Sequence, residues 1–220
     1  MKLKERFTHK SLKSEVVDYL KEQIFLENYV GGDRIVETNV ADELDVSRAP
    51  VREAIKELES QGLVETVPRK GTFVVEFNQD EIQELFDIRV MLEERVFEIL
   101  IKQNILTEDD FEYLEDLVSE MVYIAESNKD KNEKIVLVNK RDMKFHSYLW
   151  KKSKSKWTNK ILTTLYYQLQ LAMIIDAKKE DNLKEASLKH KDIIKCLKEH
   201  SVKKTKQAVI DHIRTLSEMV

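Results

Sequence analysis

The chain has 220 residues, 42% hydrophobic and 35% charged, with a formal net charge of −4 at pH 7. Only 4 Gly and 2 Pro exclude a collagen-like chain and argue against a loop-rich all-β fold, and the single cysteine, Cys196, excludes an intramolecular disulfide and a Cys-based zinc finger. The length suits one large domain or two small ones, and the even spread of Leu, Ile, Val and Phe excludes a disordered chain.

The start, MKLKERFTHKS, has no apolar core of a secretory signal. The most apolar later stretch, 161–177, is interrupted by Gln168 and Gln170 and reads as a buried helix, not a membrane span. The expected location is the cytoplasm, with no membrane partner. All the glycines and both prolines fall between Gly31 and Gly71. That punctuation divides the chain into a compact domain over 10–77 and an all-helical one over 78–220.

In the first domain, apolar residues at 12, 16, 17, 20 and 24 predict a helix from Ser11 to Asn28, ended by Gly31-Gly32-Asp33. A short second helix fits Thr38 to Leu44. Ser47 then stands as an N-cap, and Pro50 is tolerated in a first turn, so a third helix is expected from Arg48 to Gln61 with Gly62 as its stop. Two β-rich runs, Leu63–Val67 and Thr72–Phe77, flank Pro68-Arg69-Lys70-Gly71, a hairpin tip. Three helices and a hairpin outline a winged helix-turn-helix.

On the third helix Arg48 and Arg52 share a face with Lys56. A recognition helix sets its N-terminal residues against base edges, and Arg is the commonest reader of guanine. Ser47 and the helix N-terminus can take a phosphate. Arg69, Lys70 and Gly71 form a wing tip suited to phosphate or a minor groove. The plainer reading is a solvated amphipathic helix paired with Glu53, Glu57 and Glu59. Residues 1–76 carry 12 Lys and Arg against 15 Asp and Glu, so any DNA-facing basic residues must be concentrated on one face.

The second domain divides into six helical blocks, 79–103, 107–127, 131–152, 157–179, 182–199 and 201–219. Asp142 and His146 lie four apart on the stripe of Ile135, Val138 and Leu149. His190 lies in register with Leu183, Ala186, Ile194 and Leu197, and His212 with Val202, Val209 and Leu216. Inward polar groups need partners, and a shared divalent metal would satisfy three imidazoles and one carboxylate together. His9 and His200 sit near segment ends, off any stripe. Arg89 falls inside the apolar stripe of the first block, with Glu93 one turn on. It either pairs with Glu93 or awaits a carboxylate, which its planar fork suits.

The run VSRAPVREAIKELESQGLV followed by PRKGTFV resembles the DNA-binding domain of GntR-type bacterial regulators. The stretches ELFDIRVMLEERV and DMKFHSYLW, with the two later histidines, resemble the FCD domain of the FadR branch. Six blocks are similar to the shorter VanR-like subgroup. Together the resemblances cover about residues 10–218. They imply DNA contacts by Arg48 and Arg52, a wing at Gly71, metal ligands Asp142, His146, His190 and His212, and an effector contact by Arg89. Thr38 stands where one branch has a DNA-contacting Arg, so that branch's operator preference does not carry over. Asp33-Arg34 replaces a more usual Pro-Gly pattern, and SKSKWTN replaces an SGN turn, with only Asn159 matching. The implied protein is a mainly α, homodimeric repressor on a palindromic operator. It is not an enzyme, and it senses a small organic acid through zinc or nickel, the leading choices of metal. A regulator that senses the metal itself, or a metal-dependent hydrolase using an open position on the ion, stays as an alternative.

Overall fold

The computed structural model describes residues 11–179 and 182–214. The chain divides between Phe77 and Asn78. His9, Leu216 and the end of the last expected block lie outside the described residues.

The first unit runs α1 (Leu12–Phe25), β1 (Arg34–Ile35), α2 (Glu37–Leu44), α3 (Arg48–Ser60), β2 (Val64–Val67) and β3 (Gly71–Val74). Ser11 caps α1 by accepting the Ser14 N–H. The apolar positions of α1 bury Val16, Leu20 and Ile24 in one core with Val40 and Leu44 of α2 and Val51, Ala54, Ile55 and Leu58 of α3. Asp45, in the left-handed region at φ 53°, ends α2 and turns the chain into α3. Pro50 sits in the first turn of α3, where its missing N–H costs nothing.

The sheet is antiparallel in the order β1-β3-β2. Its third strand was not expected: β1 has two residues, too few to show alternation, and exists by pairing Arg34 with Phe73 and Ile35 with Thr72. The hairpin tip falls at Pro68–Lys70, with Arg69 at φ 65° and Gly71 at φ 119°. That backbone favours glycine at 71, and a Cβ there would meet Arg34 Nε at 2.6 Å.

The second unit is helical: α4 (Gln79–Lys102), α5 (Glu108–Glu126), α6 (Lys131–Lys152), α7 (Lys156–Thr164), α8 (Tyr166–Ala177), α9 (Leu183–Lys198) and α10 (Val202–Arg214). Side-chain caps start four of them, at Asn78, Thr107, Asp130 and Asn182. The expected block 157–179 is two helices, not one. Leu165, at φ −84°, ψ −2°, separates them as the C-terminal cap of the first and the N-terminal cap of the second. The unit therefore has seven helices among the described residues, and the six-block argument for the shorter subgroup falls away. With no glycine available, Asn104, Lys154 and His200 take the left-handed backbone where α4, α6 and α9 end.

Asp110 fastens α5 to α6. Its Oδ2 accepts the Thr107 N–H at 2.9 Å, and Oδ1 takes the Tyr148 hydroxyl and, at 2.5 Å, the Lys152 ammonium. Burial opposes the charge, but Lys152, Tyr148 and Thr107 outweigh it and bring the carboxyl down to about 2. A folded value below the unfolded one stabilises the fold above about pH 4, and that stability is lost as pH falls through about 2. Asp110→Asn is expected to cost about 2 kcal/mol at pH 7 and to flatten the acid limb between pH 4 and 2. Both tryptophans, Trp150 and Trp157, lie in this unit, so their fluorescence in urea reads it alone. Equal acid sensitivity in the variant would sink the assignment.

Candidate functional site

Four residues from three helices meet in the second unit. Asp142 and His146 come from α6, His190 from α9 and His212 from α10, and one ligand atom from each lies within 4.8 Å of the others. All four are buried, as their places on apolar stripes predict. His212 Nε2 and His190 Nε2 each lie 3.1 Å from Asp142 Oδ2, and His146 Nε2 lies 3.9 Å from Oδ1.

The outer edges of two imidazoles are tied. His146 Nδ1 is 2.6 Å from Glu93 Oε2, and His190 Nδ1 is 3.0 Å from the Ser187 carbonyl oxygen. Those acceptors place the protons on Nδ1, leaving Nε2 as a lone pair facing the cluster. His146 Nε2 and His190 Nε2 are buried without a hydrogen-bond partner; the His190 contact with Asp142 lacks the angle for one. Buried lone pairs aimed at one point, beside a carboxylate, are what a divalent cation needs. The residues present therefore fit a metal.

The electrostatics agree. Burial alone would raise the Asp142 carboxyl, but Arg89, then His146, with the His190 and His212 imidazoles close beside it, hold it well below the usual carboxylate range. Burial likewise opposes the charge of Glu93, and His146 and Arg89 bring it down to about 2. Burial lowers His146 despite Glu93, and burial with the neighbouring His190 lowers His212 to about 3. His146 and His212 are thus held neutral, as metal ligands must be.

Arg89 is 1% exposed and committed. Its Nε donates to Glu93 at 2.9 Å, Nη2 to Asp142 at 3.2 Å and Nη1 to Met173 Sδ at 2.8 Å. Of the two sequence readings, the pairing with Glu93 is present, and the second carboxylate that Arg89 holds is the chain's own Asp142. What sequence reasoning missed is that Glu93 orients His146. No local spacing links α4 to α6, though a glutamate on an apolar stripe was a signal.

Beside Asp142, His190 and His212 lies a cavity of about 50 Å³, lined by Ile135, Val138, Met173 and Leu183, with Asn139 on its wall. Asn139 Oδ1 is buried with no donor. Arg89 does not line this cavity.

In the first unit, Ser47, Arg48 and Arg52 sit exposed at the start of α3, and Arg69 and Lys70 sit exposed at the hairpin tip. Ser47 occupies the N-cap position without a side-chain cap bond, so its hydroxyl is not spent on the helix. Both arginines reach back to Glu37, the first residue of α2. Arg52 Nε is 3.3 Å from Oε1, Arg52 Nη2 is 3.1 Å from Oε2, and Arg48 Nη2 is 3.3 Å from Oε2. The Arg52 hydrogen bonds, chiefly, lower the Glu37 carboxyl against its partial burial.

Residues 12–74 match the family of bacterial regulatory proteins of the gntR type, and residues 84–215 match the FCD domain. The chain is 27% identical over 193 residues to the HTH-type transcriptional regulator YdhC of Bacillus subtilis, covering 88% of this chain and 84% of that protein. It is 40% identical over 74 residues to the gluconate operon transcriptional repressor of the same organism, a likeness covering 34% of this chain and 30% of that repressor. Among solved structures, McbR/YncC of E. coli superposes with a TM-score of 0.72 at 22% identity, over 94% of this chain and 95% of that one. The last likeness is one of fold. Among the described residues, no helix is long and apolar enough to cross a membrane.

Proposed function

Because the chain belongs to the GntR family of bacterial regulatory proteins and carries an FCD domain, we propose that it is a cytoplasmic, homodimeric repressor whose helical domain, 78–220, holds a divalent metal and a small organic acid. The winged domain, 10–77, reads a palindromic operator through Ser47, Arg48 and Arg52, with Arg69, Lys70 and Gly71 at the wing. Asp142, His146, His190 and His212 hold the ion, zinc or nickel by the donor set. When bound, it supplies a positive charge and an open position for an acid oxygen.

The observation that carries this reading is the pair of buried, unpartnered Nε2 atoms on His146 and His190, turned inward by Glu93 and Ser187. The adjoining cavity supports a small acid, its apolar wall taking the carbon end. Arg89 enters the reading through Asp142, which it holds. Binding the acid then changes the preferred spacing of the two winged domains, by no more than its differential affinity for the two arrangements. Glu93, the one candidate general base for a hydrolase, is spent on Arg89 and His146, which weighs against that alternative.

Native mass spectrometry of the purified full chain tests the site. The wild type is expected to carry one divalent ion per chain, and His190→Ala less than about a third of that, since losing a ligand of a four-ligand set weakens binding steeply. Full occupancy in the variant would refute the assignment.

A further inference from the structure

An arginine that reads a base must point before the base arrives. Arg48 and Arg52 stand on an exposed helix face, their side chains 59% and 56% exposed, and such side chains ordinarily sample many rotamers. Here one carboxylate holds both. Glu37 takes the Nε and Nη2 side of Arg52 and an Nη2 of Arg48. A guanidinium has two bidentate edges. With the Nε–Nη2 edge occupied, the donors left on this exposed side chain are Nη1 and the second N–H of Nη2, a pair suited to guanine O6 and N7.

The same carboxylate places a negative charge beside the phosphate-seeking groups. Sequence-independent attraction to DNA grows with the number of phosphates neutralised, so this charge weakens it. Exposed ion pairs contribute little to folding stability, so stability does not account for a carboxylate shared by the two reading arginines.

We propose that Glu37 is a specificity-determining positioning residue: it fixes the base-reading edge of Arg52, steadies Arg48, and suppresses binding to non-operator DNA. This rests on the reading of α3 as the recognition helix. Glu37 touches no DNA in this scheme; it acts through the two arginines.

The test uses the full chain and two probes. One is a duplex selected by the wild-type protein from a random-sequence pool, and the other is an unselected random duplex. Affinity for each is measured by fluorescence anisotropy across a salt series. Glu37→Gln is expected to tighten random-duplex binding by about threefold or more and to steepen its salt slope by about one. It is expected to weaken the selected duplex by roughly fivefold, so the ratio of the two falls by at least about tenfold. Glu37→Asp keeps the charge and is expected to hold random-duplex affinity near wild type. The melting temperature should stay unchanged in both variants.

A preserved ratio in folded Glu37→Gln overturns the proposal, as does an equal loss on both duplexes, the mark of a merely structural residue. Random-duplex binding as tight in Glu37→Asp as in Glu37→Gln overturns it too. Arg52→Ala run alongside separates the two levels. If that variant keeps full affinity for the selected duplex, the reading of α3 fails and takes Glu37 with it. If it loses affinity while the Glu37→Gln ratio stands, only the role of Glu37 fails.

Discussion

Operator binding is expected to collapse when Arg52 becomes alanine, with the fold left intact. The buried face of α3 is Val51, Ala54, Ile55 and Leu58, and Arg52 lies outside it. A surface substitution of this kind changes stability by roughly 0.5 kcal/mol or less. The loss on DNA is far larger. A bidentate arginine–guanine pair is worth about 1–3 kcal/mol, and the proposed dimer on a palindrome would make it twice, which multiplies to roughly 30-fold or more. A gel shift with the selected duplex reads the loss, and thermal melting confirms the fold. An unshifted affinity would end the assignment of α3 as the reading helix.

The second large effect falls on stability. Arg89→Met is expected to lower it by about 3–5 kcal/mol, because removing one partner leaves Glu93 and Asp142 buried without their shared cation. Methionine keeps most of the volume, so the loss reports charge more than a cavity. Against a typical total of about 5–15 kcal/mol, that is a large fraction. The midpoint of urea unfolding, followed by fluorescence of Trp150 and Trp157, is expected to fall most in chelator-treated protein, where Asp142 has no other cation. A midpoint within error of the wild type would show that Arg89 is dispensable to the centre.

Much of this was legible in the residues. Ser47, Pro50 and Gly62 mark α3 because each answers a local backbone need, and local needs are written locally. The inward histidines were legible for a similar reason: a polar residue on an apolar stripe declares its side of the helix. What escaped was set by tertiary contact. β1 exists only because β3 lies beside it. The pairing of Glu93 with His146 joins residues 53 apart in sequence, and Glu37 meets Arg52 across the turn between two helices. The break at Leu165 was hidden by periodicity. The apolar pattern runs through it, and the change in backbone angles at one residue leaves no trace in hydropathy.

The helix ends at Asn104, Lys154 and His200 bear on how such a chain can change over generations. Each holds a side chain in a left-handed backbone, at φ 47°, 54° and 51°, a conformation that costs on the order of 1 kcal/mol for a residue with a Cβ. None of the three contributes to the buried polar centre. The helical unit thus bears two separate costs, one in its interior charges and one at its surface turns. The second can be relieved by glycine without disturbing the first. A lineage that altered its buried polar centre and lost stability there would have compensation within reach, one turn at a time.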